Sequence, residues 1–482
     1  MTILKKLVSR YKATSAAAKA AIWFAVCSIL QKGISFITVP VFTRLMTPEQ
    51  YGQFSVYSSW NLILTIFATL NLSAGVFNNG MTKYPSDRSR YISSMQGLST
   101  VVTLVLLAVY LPLQNVINGF TGLSTVLMLI MFAEFLTVPA VMFWSARQKY
   151  EFKYIALFIY TFIVSVLSPG VSLLAVIFSD EKGIAKIMAV ALVNICAGLF
   201  FYVVNAIKGK KFFVKEYWSF AFKFNLPLIP HYLSMVVLAQ SDKIMIEKLF
   251  GEREVAIYSV AYSFSLIMNI ITTSINSSYV PWTYRQLLVN DIKPLKRTTT
   301  LLLIGVGLIS LLPVILAPEV MWIMAPKEYS EGVWIIPPIA TSVFFTFMYS
   351  LFGNVEFYFE KTKFVMVAST LCAVTNIILN AVFMPVFGYM AAGYTTMVCY
   401  MLFALVHYLF MRKVCKEKLG ISSVYDDKLI LLISVAYLGL NVVGMVLYNF
   451  VILRYVILSI SVIILLIKRK AIIGFMKRLK ER

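Results

Sequence analysis

The sequence predicts an all-α polytopic membrane protein with about fourteen transmembrane helices. Of its 482 residues, 60% are hydrophobic and 13% are charged, and the mean hydropathy is +0.82. Soluble domains carry roughly 25% charged residues, so lipid is the main solvent for a chain this apolar. The apolar runs last about twenty residues, whereas barrel strands alternate over about ten, and the spans are therefore helices.

The apolar runs can be placed in order along the chain. The first six predicted spans lie near residues 20–43, 54–77, 92–113, 121–143, 155–178 and 186–207. The next six lie near 220–246, 257–280, 298–320, 334–357, 364–386 and 390–411, and a last pair lies near 429–448 and 451–467. The first run contains Lys32 and lacks a clear cleavage site, which predicts a retained helix rather than a signal peptide.

The distribution of Lys and Arg predicts the orientation. Of the 43 cations, 34 fall in segments on the side of the N-terminus. Seven fall on the other side, namely Arg44, Lys182, Lys186, Lys248, Arg253, Lys327 and Arg454. Because cytoplasmic loops are enriched in Lys and Arg, both termini are predicted to be cytoplasmic. The net charge of +22 is thereby explained by topology, and no nucleic acid is expected as a partner.

The sequence does not predict an enzyme. No predicted loop reaches about twenty residues, which excludes an extramembrane catalytic domain. The sequence contains no Walker motif, no Ser/His/Asp set and no cluster with metal-ligand spacing. The five cysteines are scattered (Cys27, Cys196, Cys372, Cys399 and Cys415). We therefore expect no catalytic residue, no metal and no cofactor.

An internal repeat predicts two similar halves. Residues 44–56 align with residues 248–260 at an offset of 204, with Arg44 opposite Lys248 and Phe54 opposite Tyr258. Six spans per repeat return the chain to the same side, so the halves are parallel repeats about an axis along the membrane normal. We expect an N-terminal half at residues 1–210, a C-terminal half at 211–415, and a helix pair with a basic tail at 416–482.

Matching polar stripes follow the second and eighth spans. The first stripe is Ser58, Asn61, Thr65 and Thr69, and its partners at the offset of 204 are Tyr262, Ser265, Asn269 and Thr273. Polar side chains are costly against lipid, so each stripe faces a neighbouring helix or a cavity. One stripe alone suits hydrogen-bonded helix packing. Two stripes at equivalent positions favour a central cavity that both halves share.

Lys32 is the cation placed deepest in a predicted span. Ser28 and Ser35 share its face of the first span. An uncompensated lysine at this depth costs about 3 kcal/mol or more, which makes Lys32 the leading candidate for binding an anion. A structural ion pair and snorkelling to the membrane surface are the alternatives.

The seventh span carries a second group of candidates. Asp242 and Lys243 lie about 100° apart on a helix, so they face different neighbours. Asp242 pairs with other helices or lines the cavity, and Lys243 and Arg44 lie near the outer ends of their spans. His231 shares the face of Asp242 and is a candidate for sugar binding or a pH response.

Two carboxylates complete the candidates. Glu134 is the one carboxylate deep in a span of the first half, where it either pairs with Lys32 or carries a proton in a coupling step. Glu356 lies close to the cytoplasmic end of the tenth span and is expected to be hydrated.

Two stretches resemble the polysaccharide-repeat-unit flippases of bacteria, the Wzx type. The first contains Val39-Pro40 and the run Arg44-Leu45-Met46-Thr47-Pro48-Glu49-Gln50-Tyr51-Gly52. The second contains Asn225-Leu226-Pro227-Leu228-Ile229-Pro230 and Ser241-Asp242-Lys243-Ile244-Met245-Ile246. The resemblance covers most of the chain. It implies a MATE-like fold, in the superfamily that also holds multidrug extruders and lipid II flippases.

The resemblance also implies a function. A polyprenyl-pyrophosphate-linked oligosaccharide would cross the bacterial cytoplasmic (inner) membrane by alternating access, for synthesis of a surface polysaccharide such as O-antigen or capsule. The expected substrate-binding residues are Lys32, Ser28, Asn61, Thr65, His231, Asp242, Lys243 and Asn269, with Glu134 as the coupling candidate. Membrane lipids, H⁺ or Na⁺ as coupling ion, and a polysaccharide polymerase or other assembly proteins are the expected partners.

Two alternatives remain open at this point. A MATE-type cation-coupled multidrug antiporter would need embedded carboxylates for cationic cargo, but the first span offers Lys32 and no acid between Trp23 and Val41. A flippase for a lipid II-like precursor would share the pyrophosphate and hence the need for cations.

Overall fold

The computed structural model describes residues 16–73 and 75–460, and the regular structure of these residues is entirely helical. The N-terminal helices are α1 (Ala16–Leu45), α2 (Pro48–Thr69), α3 (Gly75–Lys83), α4 (Arg88–Thr121), α5 (Thr125–Tyr150), α6 (Tyr154–Ile177) and α7 (Lys182–Gly209). They are followed by α8 (Lys215–Asn225), α9 (Ile229–Phe250), α10 (Glu252–Leu288), α11 (Ile292–Ile315), α12 (Ala317–Met324), α13 (Ile336–Tyr358), α14 (Thr362–Phe387), α15 (Ala391–Leu419), α16 (Asp427–Val446) and α17 (Val451–Ile460).

Eleven of the helices in the described residues are long and apolar enough to cross a membrane. The all-α polytopic fold is therefore confirmed. Helices α2 and α9 are more polar and fall outside this group, and α17 is short within the described residues. The last predicted span, near 451–467, lies partly beyond them. The count of fourteen accordingly stays a prediction.

The helices form two bundles with the same neighbours in each. Helix α1 packs on α6 as α9 packs on α14, and α5 packs on α7 as α13 packs on α15. Helix α4 likewise packs on α5 as α11 packs on α13. Helix α16 covers α11 and α13 from outside. The prediction of two similar parallel bundles is confirmed, and the second helix of the predicted C-terminal pair lies partly beyond the described residues.

The turns after α5 and α13 show the repeat in backbone detail. Phe152 (φ 56°) and Glu360 (φ 59°), which are 208 residues apart, both adopt the left-handed conformation. The next residue donates its N–H back to the helix in each case, from Lys153 to the Gln148 carbonyl (2.8 Å) and from Lys361 to the Glu356 carbonyl (2.9 Å). An offset of 208 therefore defines equivalent positions on α5 and α13.

Two predicted spans are broken, and their breaks touch. The second span ends as α2 at Thr69, because Leu70 (φ 50°) and Asn71 (φ 48°) are left-handed. The seventh span divides into α8 and α9 around Pro227, whose nitrogen carries no hydrogen-bond donor. The Asn225 side-chain amide donates to the carbonyl of Leu70 and joins the two breaks. The sequence predicted continuous spans in both places.

The end of the molecule that holds the turns after α3, α5 and α7 is called the basic end, because Lys and Arg concentrate there. The two bundles meet most tightly at the opposite end. A hydrophobic cluster there includes residues of both bundles, and Gly52 of α2 lies directly against the backbone of Glu252. The Thr43 hydroxyl of α1 donates to the Met324 carbonyl at 2.7 Å.

Helices α1 and α10 present polar side chains toward the basic end. Phe36 of α1 and Phe264 of α10 form an edge-to-face contact with ring centroids 6.1 Å apart. Beyond that contact, Ser28 and Ser35 on α1 and Ser274 and Ser277 on α10 are exposed. The boundary between the bundles is therefore closed at the opposite end and polar toward the basic end.

Candidate functional site

Lys243 lies at the boundary between the bundles. Its ammonium lies 3.4 Å from the Gln240 side-chain oxygen, which also accepts a hydrogen bond from Ser59 of α2 at 3.1 Å. On its other side the ammonium lies 5.5 Å from the ring centroid of Tyr262 on α10. Lys243 thus faces the first bundle, whereas the sequence placed it near an outer end where snorkelling is cheap.

Lys32 lies on the same boundary, nearer the basic end. It precedes Phe36 by four residues, which places it on the same face of α1, one turn closer to the basic end. Lys32 is half-buried, and within residues 16–73 and 75–460 it forms no salt bridge and donates no hydrogen bond. The predicted pairing of Lys32 with Glu134 was wrong.

Glu134 is held inside the first bundle. Its carboxylate is 6% exposed and accepts hydrogen bonds from the Tyr57 hydroxyl (2.8 Å), the Asn61 amide (2.9 Å) and the Asn194 amide (2.9 Å). These donors come from α2 and α7, so three helices meet at one carboxylate. No cation approaches Glu134 within salt-bridge distance in the part of the chain that the structure describes. Three neutral donors stabilise its charge instead.

A cleft opens beside Glu134. It encloses about 320 Å³ of empty space, and its polar lining consists of Asn61, Thr65, Thr69, Glu134 and Asn194. The polar stripe of α2 therefore faces this cleft of its own bundle. Thr65 and Thr69 donate to the carbonyls four residues earlier, which satisfies both hydroxyls within the helix.

The second bundle holds its carboxylate deeper. Asp242 of α9 is 1% exposed and accepts hydrogen bonds from Tyr258 of α10 (2.5 Å), Asn380 of α14 (2.7 Å) and Thr396 of α15 (2.7 Å). Of the two predicted alternatives for Asp242, the structure shows pairing with other helices. The amide oxygen of Asn376 accepts from Ser241 (3.2 Å) and extends the network along α14.

The face of α9 that carries Asp242 is a packing face. The His231 imidazole lies 2.9 Å from the Ser369 hydroxyl, and Ser234 donates to Thr370 at 3.1 Å. Both partners belong to α14, so His231 and Asp242 dock the same two helices onto each other. His231 consequently lies away from the boundary that carries Lys32 and Lys243.

A second cleft occupies the equivalent place in the second bundle. It encloses about 310 Å³ between α10, α13 and α15. Lining residues at equivalent positions are Thr65 and Asn269, Glu134 and Ser342, Phe135 and Val343, and Val138 and Thr346, and the corresponding helices α7 and α15 contribute Asn194 and Thr396. The sequence predicted one cavity shared by both stripes, but the structure has two equivalent clefts, one in each bundle. The side chain of Ser265 lies outside the described residues.

Several functional neighbours were not predicted from sequence. Tyr57, Asn194, Tyr258, Asn376, Asn380 and Thr396 all bond to the carboxylates or to their amides. The pair Asn376 and Asn380 was visible as a polar i, i+4 step within an apolar span, but its partners Ser241 and Asp242 lie 135 and 138 residues away in sequence.

Ser28 lies on α1 beside the polar part of the boundary. Its hydroxyl is exposed and donates to the Phe24 carbonyl at 3.1 Å.

Glu356 is 0% exposed and contacts His407, so the expectation that Glu356 is hydrated was wrong. The physical reason is the packing of α13 against α15, which brings His407 opposite Glu356.

Charged groups of both signs occupy the site. Lys32 and Lys243 offer cations at the boundary, whereas Glu134 and Asp242 offer carboxylates inside the bundles. Around Asp242 the oxygens of Asn376 and Thr396 add neutral ligands of the kind that hard cations prefer. The described residues contain no group of three or more His, Cys, Asp or Glu side chains arranged to hold a metal ion.

Solved structures of transporters share this fold. "Lipid II flippase MurJ, inward closed conformation" is similar at a TM-score of 0.65 and 16% identity, over 94% of this chain and 100% of that one. An inward-facing multidrug resistance MATE family transporter of the MOP superfamily is similar at a TM-score of 0.58 and 13% identity, over 81% of this chain and 94% of that one. At these identities the likeness concerns the fold alone.

Sequence comparisons identify the family. "Lsg locus putative protein 1" of Haemophilus influenzae is 24% identical over 375 residues, which are 74% of this chain and 88% of the relative. The MatE family profile matches residues 227–382. The profile of the family described as "Polysaccharide biosynthesis protein" matches residues 17–286, more than half of the chain. The two parallel bundles and this match together show that the chain belongs to the polysaccharide biosynthesis protein family, within the MATE-like superfamily.

Proposed function

We propose that the protein is a flippase that moves a polyprenyl-pyrophosphate-linked oligosaccharide across the bacterial cytoplasmic membrane for surface polysaccharide synthesis. The observation that carries the proposal is the position of Lys32 and Lys243. Both cations lie at the boundary between the bundles, and neither forms a salt bridge with a carboxylate of the described residues. A pyrophosphate is the part of the substrate that needs such cations in a low dielectric.

The rest of the boundary suits the rest of this substrate. The polyprenyl tail can stay in lipid while the glycan passes polar, uncharged groups such as Ser28 and Ser35 on α1 and Ser277 on α10. The basic end is predicted to be cytoplasmic, and the boundary is polar toward that end. Entry from the inner leaflet between α1 and α10, followed by rocking of the bundles, therefore moves the headgroup outward.

The position of the carboxylates argues against a multidrug antiporter. Cationic cargo needs acids that face the transport path, but Asp242 is enclosed by α10, α14 and α15. Glu134 is bonded to α2 and α7 within the first bundle. A cationic drug at the boundary would instead meet two ammonium groups, which repel it.

We propose that the enclosed carboxylates serve coupling. Glu134 is a buried acid with no cation beside it in the described structure, and its cleft offers the oxygens of Thr65 and Asn61. A proton or Na⁺ bound there would neutralise the carboxylate and change its bonds to α2 and α7. Asp242, with its neutral oxygen neighbours, is a second candidate for the same role in the other bundle.

The test of the substrate uses purified protein in proteoliposomes. A fluorescent polyprenyl-pyrophosphate oligosaccharide is placed in the inner leaflet, and its exposure outside is followed with a membrane-impermeant hydrolase. We expect Lys243→Met and Lys32→Met to slow flipping about tenfold, which corresponds to about 1.4 kcal/mol of lost stabilisation. Lys248→Met is the matched control, because Lys248 lies at the far end of α9 and pairs with Glu247 at 3.7 Å.

Three outcomes decide between the functions. Flipping of the oligosaccharide lipid that depends on Lys243 supports the proposal. Equal or faster flipping of lipid II would assign the protein to cell-wall precursors instead. Efflux of a cationic dye that is unchanged in Lys32→Met and lost in Asp242→Asn would establish the antiporter.

Coupling is tested separately with the amide variants Glu134→Gln and Asp242→Asn. Each keeps the shape of the side chain but removes its charge. If Glu134 binds the coupling ion, the Gln variant flips at a rate that no longer responds to an imposed proton or Na⁺ gradient. An unchanged response in both variants would remove these carboxylates from coupling.

A further inference from the structure

A second titratable cluster lies outside the clefts and the boundary. Glu356 of α13 and His407 of α15 are both 0% exposed. The His407 Nδ1 atom lies 2.8 Å from one oxygen of the Glu356 carboxylate and 3.0 Å from the other. The other imidazole nitrogen, Nε2, is buried and has no hydrogen-bond partner in the described residues.

The surroundings of this pair are apolar. The rings of Phe403 (4.5 Å between centroids), Tyr349 (4.9 Å) and Phe364 (5.6 Å) enclose the imidazole. Of the titratable groups on the packed helices, Tyr349 of α13 contacts the imidazole, and Cys372 of α14 packs in the same cluster as the three rings. The charged groups nearer the basic end pair among themselves, Lys361 with Glu417 (3.7 Å) and Arg412 with Asp427 (3.5 Å).

The first bundle has neutral amides on the corresponding pair of helices. Gln148 precedes Glu356 by 208 residues, the offset that the turns after α5 and α13 define, and Asn205 lies on α7, which packs on α5 as α15 packs on α13. Both amides are buried, at 7% and 6% exposure. Asn205 donates to the Gln96 side-chain oxygen (3.1 Å) and to the Ala140 carbonyl (3.0 Å). The same place in the fold is thus titratable in one bundle only.

The helix that carries Glu356 also contacts α10, which borders the boundary between the bundles. Two residues before Glu356, Asn354 donates to Asn276 of α10 at 2.9 Å. Two residues after it, Tyr358 packs on Tyr284 of α10 with ring centroids 5.3 Å apart. A change in how α13 meets α15 at this level therefore reaches α10 directly.

We propose that Glu356 and His407 form a one-proton site that fastens α13 to α15 and makes this contact, unlike the contact between α5 and α7 in the first bundle, sensitive to pH. With one proton between them, the carboxyl and the imidazole are together neutral. A second proton leaves a buried positive charge, and loss of the only proton leaves a buried negative charge. Either charge is costly without water or a partner, so both changes loosen the contact. The site is independent of which substrate crosses the membrane.

The proposal is tested on the full-length protein in nanodiscs by thermal unfolding between about pH 3 and pH 9, a range that covers the ordinary pKa values of both glutamate and histidine. Glu356→Gln/His407→Asn gives the second bundle the amides of the first. We expect the melting temperature of the native protein, relative to this variant, to fall by roughly 2–4 °C toward both ends of the range. The reversed pair Glu356→His/His407→Glu should keep the two-sided profile. Parallel profiles for the native protein and the amide variant would overturn the proposal.

Hydrogen exchange in the native protein supplies a test that needs no variant. Peptides covering residues 346–360 and 400–412 are compared with residues 138–152 and 198–210, their equivalents in the first bundle. After correction for intrinsic exchange, the proposal requires the second-bundle peptides to lose protection at acid and alkaline pH while the first-bundle peptides do not. Equal changes in both bundles would refute it.

Discussion

The clefts of the two bundles are built from equivalent helices but hold their carboxylates differently. In the first bundle, Glu134 stands on α5 at the wall of the cleft, where Asn61 and Asn194 reach it from two sides. In the second, the equivalent of Glu134 is Ser342, and the acid is Asp242, which enters from α9 behind Thr396. One carboxylate borders open space and the other is sealed between helices.

Neutral polar residues and deeply placed charged residues also differ in whether they recur at equivalent positions of the two bundles. Polar neutral residues recur at the offset, as in Thr65 and Asn269, and they stabilise the packing that both bundles share. Charged residues deep in the spans do not recur, because Lys32 is opposite Val236 and Asp242 is opposite Thr38 at the offset of 204. The scaffold is thus repeated, whereas each of these deep charges belongs to one bundle, and we expect specific function to depend on them.

The largest effect on the free energy of unfolding is expected when each of the two buried carboxylates, Asp242 and Glu134, is removed. Asp242→Ala leaves three buried donors unpaired, each at a cost of about 1–3 kcal/mol, so we expect a loss of about 3–5 kcal/mol in the free energy of unfolding. Glu134→Ala also frees three donors, but cleft water can satisfy them, and we expect about 1–2 kcal/mol. Denaturant unfolding of purified protein in nanodiscs measures both. A loss for Glu134→Ala as large as that for Asp242→Ala would show that the first cleft is as sealed as the second.

The next effect concerns the contact that joins the bundles. A Cβ atom at Gly52 would overlap the backbone of Glu252, whereas the equivalent residue in the second bundle, Ala256, already carries a Cβ and is fully buried. Gly52→Val should therefore cost about 1–3 kcal/mol by overpacking. Gly33→Val is the matched control, because nothing lies within 4 Å of a Cβ at Gly33. Equal stability of the two variants would show that the bundles separate freely at this end.

The fold could be predicted from sequence because it rests on composition and periodicity. Long apolar runs predict the helices, and the 204-residue offset between Arg44 and Lys248 predicts the two bundles. The broken spans were missed because hydropathy does not report backbone conformation. Leu70 and Asn71 are left-handed, although neither is a glycine. Pro227 was visible in the sequence, but a proline in an apolar span is compatible with a bend as well as with the end of a helix.

The candidate site could be predicted residue by residue but not as a set of contacts. The sequence identified both Glu134 and Asn61 as candidates, but it placed Asn61 in a cavity shared by the two bundles. The direction in which the polar face of α2 points depends on how α2 packs against α5 and α7, and the sequence of α2 does not contain that information. Two of the three partners of Asp242, Asn380 and Thr396, lie 138 and 154 residues further along the chain. For Glu356, closeness to the basic end suggested water, and only the opposing helix reveals His407.

A smaller effect is expected where the first bundle holds a cation that the second lacks. The Lys186 ammonium lies 4.0 Å from the ring centroids of Phe42 and Phe54 and 4.5 Å from that of Tyr51. The residues equivalent to Phe42 and Tyr51 are Ile246 and Val255, which offer no such rings. In a double-mutant cycle, Phe42→Leu and Lys186→Met should show a coupling energy of about 0.5–2 kcal/mol. A coupling energy near zero would mean that the rings act as apolar packing alone.

The smallest effect is expected at Glu151 in the turn after α5. The residue at the equivalent position of the second bundle is Phe359. Burial alone would raise the pKa of Glu151, but Lys153 (2.6 Å) and Arg147 (2.8 Å) outweigh it and hold this pKa below its usual range. The stabilisation is therefore present at neutral pH and is lost as the pH falls through the lowered pKa. Glu151→Gln should cost about 0.5 kcal/mol at neutral pH and nothing at acid pH, because Lys153 is largely exposed and solvent screens the pair. Unfolding of the native and variant proteins across this range measures the difference, and a deficit that persists in acid would show that the Glu151 side chain stabilises the turn by packing rather than by charge.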